Sequence, residues 1–422
     1  MPEQPPNLPT AERAKPPKLL VLASFFPKPG NELMGLWAIS RVRGVQRAGV
    51  DLSVISPTSW IPRFAGRLGL FQTWASCPRE HDWDAIHAEY PRWLLYQKGW
   101  LKRQSYRNPW PQNRLAWASV RGHLERWIEA NQPDAIWAQF AWINGYLARR
   151  LYDTYKIPYI ISEHDNQEVR NCDDYPARRH LYDYVYERVS MVVATASRME
   201  ADLKALFPDV PSCTINNGMD PFPEALHETP KPEHVRNRRV IFSCGSGRPY
   251  KNTPMLVRAF DRVADRHDDL VLRIVGRGPK QSLVEETTRK AKHGDRVMLL
   301  GVVPHDRVLQ EMAWADVFAL VSSPEAFGNV YMEAMSAGTP IICCDDAGVN
   351  DVFVHGEHGL HVPPQDEDAT VEALDRLISE EDLRARLGTN ARRLCERGLT
   401  WDEYGRRFAA VLEDAIAARA AT

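Results

Sequence analysis

Short apolar runs alternate with helix-length amphipathic stretches along nearly the whole chain. In the first half, "KLLVLASFF" (18–26), "VDLSVISP", "AIHAEY", "DAIWAQF", "PYIISEH" and "MVVATA" read as strands. The pattern between them is helical, beginning with "GLWAISRVRGVQRAG" (35–49), which stops at Gly49. Strands interleaved with helices imply parallel sheets built from βαβ units. The alternation ends near "CTINNGMDPFPE", and "HETPKPEHVRNRR" (227–239) is polar, charged and proline-containing, which predicts a linker. A second set follows: "VIFSCGSG", "LVLRIVG", "VMLLG", "VFALVSS" and "TPIICC". The pattern therefore predicts an α/β protein with two doubly wound, Rossmann-like domains, 18–226 and 240–399, facing a cleft. Ligands in such folds bind at the carboxyl ends of the strands. "TWDEYGRRFAAVLEDAIAARA" (400–420) predicts a closing helix with Thr400 as its N-cap, in a segment running to 422.

Composition narrows the class. A chain of 422 residues exceeds one ordinary core, in agreement with two domains. Its 53 Lys and Arg nearly balance 55 Asp and Glu, so attraction of the whole molecule to nucleic acid is not expected. No apolar run approaches the roughly 20 residues of a membrane span. "MPEQPPNLPTAERAKPPK" lacks the apolar stretch of a secretory signal, and 1–17 is expected to be a disordered proline-rich tail. Seven cysteines without a C-x-x-C predict reduced core thiols in a cytosolic protein, not disulfides or a zinc site.

Candidate chemistry concentrates in "SSPEAFGNVYMEAMSAGTPIICCDDAG" (322–348), where Glu325 precedes an apolar helix and Glu333 lies inside it. The helix is expected to begin near Gly328 and to stop at Gly338. Its first N–H groups lack intrahelical partners and form an anion site, and Gly328 allows a ligand close to the backbone. Asn329, Glu333 and Ser336 fall at i, i+4 and i+7 on one polar stripe. Two readings stay open from periodicity: the stripe faces solvent, or Glu333 lines the cleft and accepts hydrogen bonds from a ribose diol.

The stretch "PEAFGNVYMEAMSAGTP" resembles the E-x7-E signature of retaining GT-B glycosyltransferases of the family 4, or group 1, type. "SCGSGRPYKNTPMLVRAF", "LRIVGRGP", "VMLLGVVP", "GVNDVFVHGEHGLHVPP" and "INNGMDPFPE" resemble other elements of that family in order. The resemblance covers most of 214–404 and is looser before it. It implies that Glu333 binds the donor ribose and Glu325 the transferred sugar. Backbone around Phe327, Gly328, Asn329 and Val330 would hold sugar and phosphate, Arg248 and Lys251 the diphosphate, and residues near Gly276 and Val303 the base. It implies also that Gly35, in "FFPKPGNELMG", approaches the diphosphate and that His164, in "ISEHD", contacts the donor sugar. A capping or hydrogen-bonded structural role for His164 is the alternative. The closing helix is expected to cross back to the first domain. Departures from the family pattern are the two-residue spacing of Arg248 and Lys251, Asn252 after the lysine, and Ala347–Gly348 with Asp351 where Gly-Gly and Glu are common.

A departing nucleoside diphosphate gains charge that must be stabilised by a metal or by fixed cations and helix dipoles. Arg248, Lys251 and the glycine-opened helix supply the second, so no metal or other cofactor is expected. "HDWD" (81–84) contains a D-x-D but reads as a surface turn. The resulting expectation is a retaining transferase moving a sugar from a nucleotide-sugar, UDP favoured over GDP, to a sugar or lipid-linked acceptor in glycoconjugate or polysaccharide synthesis. A sugar-nucleotide epimerase on the same fold and a non-catalytic nucleotide-sugar binding protein are the alternatives. A nicotinamide oxidoreductase is weaker, because "CGSGRPY" and "VGRGPK" both lack the full G-x-G-x-x-G.

From Pro91 to Leu124 the chain carries no acidic residue. Arg92, Lys98, Lys102, Arg103, Arg107, Arg114 and Arg121 are interleaved there with Trp93, Tyr96, Trp100, Tyr106, Trp110 and Trp117. Such a segment suits an anionic membrane surface, and a cytoplasmic protein peripheral to the inner face of the membrane is one expectation. An ordinary solvated basic helix pair is the other.

Overall fold

In the computed structural model, residues 15–32, 34–62, 71–94, 99–245 and 247–420 are described. Residues 1–14 of the expected tail, and Tyr96 and Lys98 of the basic stretch, lie outside them.

The first half holds strands β1 (Lys18–Leu22), β2 (Asp51–Ile55), β3 (Thr58–Ser59), β4 (Glu80–Trp83) and β5 (Ile86–Glu89). It continues with β6 (Arg92–Trp93), β7 (Ala135–Gln139), β8 (Tyr159–Glu163), β9 (Met191–Ala194) and β10 (Ser212–Thr214). Eight of them form one sheet in the order β10-β9-β8-β7-β1-β2-β5-β4. All its pairs are parallel except the β4–β5 hairpin. The apolar run of β1 reflects cover on both faces: Leu20 and Leu22 belong to one core, Leu19 and Val21 to the other.

The second half holds β11 (Arg239–Ser243), β12 (Leu270–Val275), β13 (Val297–Gly301), β14 (Val317–Leu320), β15 (Ile341–Cys344) and β16 (Gly359–Val362). They form a fully parallel sheet in the order β13-β12-β11-β14-β15-β16. The order reverses direction between β11 and β14, which opens a crevice at their carboxyl ends. In β12 one residue breaks the apolar pattern: Arg273 is buried, with Nε and Nη2 each 2.6 Å from the Glu311 carboxylate. That bidentate geometry satisfies a charge that burial would otherwise make costly.

The closing helix Trp401–Ala420 returns to the first half, where Trp401, Tyr404, Phe408 and Leu412 join the core beneath β1. Thr400 Oγ1 accepts from the Glu403 N–H at 3.2 Å, the N-cap read from sequence. The helix crosses the Leu36–Arg47 helix so closely that a Cβ on Gly44 would lie 2.2 Å from the Trp401 carbonyl oxygen.

The chain passes from one core to the other between Ile215, in the first, and Phe222, in the second. The polar segment 227–239 packs on the second half: Trp314 Nε1 donates to the Thr229 carbonyl at 2.8 Å, and Lys231 pairs with Asp316 at 3.4 Å. Polarity there marks a surface strap, whereas the crossing itself runs through "NNGMDP", in which Asp220 is the single charge.

Candidate functional site

The two loops that flank the reversal point carry the expected charges. After β11, a turn of Pro249–Lys251 is tied to the loop after β14 by the Ser323 N–H, which donates to the Tyr250 carbonyl at 2.8 Å. Across this junction Lys251 Nζ lies 2.6 Å from Glu325 Oε2, with both side chains largely buried. Arg248 is exposed and turns instead to the Tyr250 hydroxyl, 2.8 Å away. The structure thus brings Lys251 to Glu325 and leaves Arg248 exposed, bonded to Tyr250.

The helix carrying Glu333 runs from Asn329 to Ser336, one residue later than Gly328, which takes a left-handed φ of 83° before it. A Cβ on Gly328 would lie 2.5 Å from the Tyr331 ring, so the position requires glycine for the chain's own packing. Phe327 is buried in the core, and its side chain does not line the cavity that Glu333 lines. Ser336 is likewise buried, so the polar stripe is shorter than its periodicity suggests. Asn329, Val330 and Glu333 line a cavity of about 570 Å³. Gly276 and Val303 line the same cavity, as do Asp220 and His305. Glu333 is therefore not on an open solvent face.

His305 escaped the reading of the sequence. It is the first residue of the His305–Trp314 helix, and its Nε2 lies 3.1 Å from Glu333 Oε1. That hydrogen bond is the main cause that raises its pKa above the usual 6.5. The available signal was weak: a histidine after "GVVP" at a helix start has no pattern of its own.

On the opposite wall, Gly35 begins the Leu36–Arg47 helix with a φ of 79°. A Cβ there would lie 2.3 Å from the Phe25 carbonyl oxygen, so this glycine too serves the fold. Gly35 does not line the cavity; its neighbours Leu36, Trp37 and Ser40 do. His164, at the end of β8, packs edge-on against Trp37 and Phe140, with ring centroids 4.5 and 4.9 Å apart. Its Nε2 is 2.8 Å from Arg41 Nη1. Burial, then the adjacent guanidinium, holds the His164 pKa well below 6.5. Arg41 also donates to Asn217, whose Nδ2 donates to Asn329 Oδ1 at 2.6 Å. A chain of polar contacts thus joins His164 to the start of the Asn329–Ser336 helix. Arg41 and Asn217 were likewise missed, because Arg41 is one of three arginines in its helix and nothing in the sequence marks it as the buried one.

The departures near Asp351 acquire a reason. Its carboxylate accepts from the Ser197 N–H at 2.6 Å and from Asn216 Nδ2 at 2.9 Å. It caps the Ser197–Leu206 helix of the first half from a loop of the second. In the β4–β5 hairpin, Asp82 pairs with His87 at 2.7 Å and Asp84 with Arg43, so the D-x-D is a surface hairpin. Among the described residues no group of three His, Cys, Asp or Glu side chains converges as metal ligands. Likewise no helix there is long and apolar enough to cross a membrane. The basic stretch divides: Trp93 and Trp117 are buried, while Lys102, Arg103 and Arg107 on the Gly99–Arg107 helix are exposed.

Two parallel-sheet halves facing a crevice, with the paired charges at its reversal point, define the GT-B class of fold. Over 96% of this chain and 100% of the other, it is similar to a sucrose-phosphate synthase from Thermosynechococcus elongatus, with a TM-score of 0.73 and 17% identity. Anabaena HepE, solved in complex with UDP and glucose, matches 94% of this chain over 99% of its own, with a TM-score of 0.67 and 18% identity. A D-inositol 3-phosphate glycosyltransferase from Corynebacterium glutamicum is 25% identical over 79% of this chain and 73% of its own length. The glycosyltransferase family 4 matches residues 42–221 and the glycosyl transferases group 1 match residues 227–394, together most of the chain. The protein belongs to the group 1, family 4 type of glycosyltransferases.

Proposed function

We propose that this glycosyltransferase moves a sugar from a nucleotide-sugar, UDP-linked in preference to GDP-linked, to a sugar or lipid-linked acceptor, with net retention and without a metal. The observation that carries the reading is the convergence of Asn329, Val330 and Glu333 with Gly276 and Val303 on one cavity. The Lys251–Glu325 pair stands on the loops beside it. Glu333 would accept the ribose hydroxyls, backbone near Gly276 and Val303 would meet the base, and Glu325 would hold the transferred sugar. Lys251 and the start of the Asn329–Ser336 helix would oppose the charge that develops on the diphosphate. In the step itself the bond from the anomeric carbon to the phosphate oxygen breaks. The acceptor oxygen bonds to the same face, and its proton goes to a donor phosphate oxygen. His164, held neutral, would contact the sugar and would not act as a nucleophile.

UDP is favoured because Anabaena HepE, with the same fold, was solved in complex with UDP and glucose. Exposed Lys102, Arg103 and Arg107 suit an anionic surface, and we extend the proposal to peripheral contact there, at the cytoplasmic face, where a lipid-linked acceptor would be met. The test is a thermal-shift screen of uridine, guanosine and adenosine diphosphates, followed by product analysis with UDP-sugars and mixed acceptors. Saturating the right nucleotide about a hundredfold should stabilise the fold by about 2.7 kcal/mol. Release of nucleoside diphosphate with an added acceptor mass of retained configuration supports the proposal. Isomerised nucleotide-sugar without acceptor product would indicate an epimerase.

A further inference from the structure

Glu333 and His305 reach the cavity from two different helices, and each side chain is partly accessible, at 21% and 32%. His305 Nε2 lies 3.1 Å from Oε1 of the carboxylate. A carboxylate has two oxygens and about four acceptor positions, so one oxygen engaged by the protein still leaves the other for a ligand. An unrestrained glutamate on a helix must lose rotamer freedom when it binds a diol, and a fixed partner removes that cost in advance.

We infer that His305 is a positioning residue for the donor: it holds Oε1 of Glu333, so that Oε2 is presented to the sugar hydroxyls of the nucleotide. This deepens the proposal that Glu333 binds the ribose and rests on it.

The electrostatic surroundings make the device sensitive to pH. Besides Glu333, His305 faces Asp306 on its own helix and Asp220 on the crossing segment. Asp220 is itself held by Ser40 Oγ at 3.3 Å, from the first half. Arg43 lines the cavity from the same N-terminal helix as Ser40, and Cys244 lines it at the end of β11. The neighbouring Ala225–Glu228 helix brings His227, whose ring lies on Phe222 at 5.0 Å. Carboxylates therefore dominate around the imidazole, and the protonated ring cancels the Glu333 charge beside the place proposed for the diphosphate. When the ring loses its proton, Glu333 stands as an uncompensated anion toward an anionic ligand.

The experiment is calorimetric titration of the full chain with uridine diphosphate at about pH 6.5 and 8.5, at the ordinary imidazole value and well above it. Wild type is compared with three single variants, His305→Gln, His305→Ala and Glu333→Gln, and with the double variant that combines His305→Ala and Glu333→Gln. Wild-type affinity should fall by about threefold to tenfold on raising the pH, given tenfold per unit of differential shift. His305→Gln keeps a donor but cannot titrate, so its profile should be flatter than that of wild type; the ligand's own titration is common to both. His305→Ala should weaken binding at both values, and the same change in the Glu333→Gln background should add little. Parallel profiles for wild type and His305→Gln, with His305→Ala unchanged, would overturn the inference while Glu333→Gln still weakens binding. If Glu333→Gln also binds normally, or wild type binds neither uridine nor guanosine diphosphate, the ribose reading itself falls and takes this one with it; wild type that binds only guanosine diphosphate moves the same comparison to that ligand.

Discussion

Lys251 and Glu325 form an ion pair at 2.6 Å across the point where the strand order of the second sheet reverses. Each comes from a different loop, one after β11 and one after β14, so the pair ties the two loops together. If Glu325 holds the transferred sugar as proposed, Lys251 would turn its charge toward the phosphates.

Replacing Lys251 with alanine should therefore damage turnover more than folding. Loss of one donor to a developing anion costs about a hundredfold or more in kcat. Binding of the nucleoside diphosphate should weaken more than binding of the nucleoside. Equal losses for both ligands would assign the damage to structure. Arg248→Ala, which breaks only an exposed contact to Tyr250, should cost far less in the same assays.

Arg41 and His164 give a spectroscopic prediction. The pKa of His164 lies well below 6.5, with burial as the main cause and Arg41 adding to it. An unfolded chain binds a proton at that histidine as the pH drops below 6.5 while the folded chain does not, so this group makes stability fall toward acid. Histidine NMR should record a ring that stays neutral below pH 6.5, and Arg41→Gln should move its titration upward. A normal titration in the wild type would contradict the burial described.

Asp351 caps a helix of the other half through the Ser197 N–H at 2.6 Å. Asp351→Ala should cost about 1 kcal/mol, as loss of an N-cap does. Calorimetry should register a fall in the unfolding midpoint of about 2 °C for a chain of this size. Asp351→Asn retains an acceptor oxygen and should lose less. No change for either would mean that the two halves are held elsewhere.

Lys102, Arg103 and Arg107 lie exposed on one short helix. Each cation near an anionic bilayer contributes about 1 kcal/mol. Cosedimentation with anionic vesicles at low salt should fall when all three become Gln, and should fall in wild type at high salt. Equal recovery with neutral and anionic vesicles would leave the stretch as a solvated helix.

Much of the fold is legible because parallel strands covered on both faces must be apolar throughout, as Leu19–Leu22 are, and helices between them must be amphipathic. In the Asn329–Ser336 helix Glu333 stands out because it interrupts an otherwise buried face. Chain crossing was harder to read, since the polarity of 227–239 reports exposure and the crossing at 216–221 carries a single charge. His305, Arg41 and Asp351 were obscure for one reason: each acts on a residue more than 25 positions away, through a contact that no local period encodes. Gly35 and Gly328 resemble ligand-approach positions, yet the chain's own backbone and Tyr331 already require them.

The central claim is that the cavity carrying Glu333 is the nucleotide site, and calorimetric titration of uridine diphosphate into wild type and Glu333→Gln tests it most directly. The change is isosteric, so both proteins should unfold at the same temperature. Hydrogen bonds to a charged group are worth roughly 1.5–3 kcal/mol each, so affinity should fall by at least about tenfold. Equal affinity in two equally folded proteins would contradict the account and return Glu333 to a structural role beside His305.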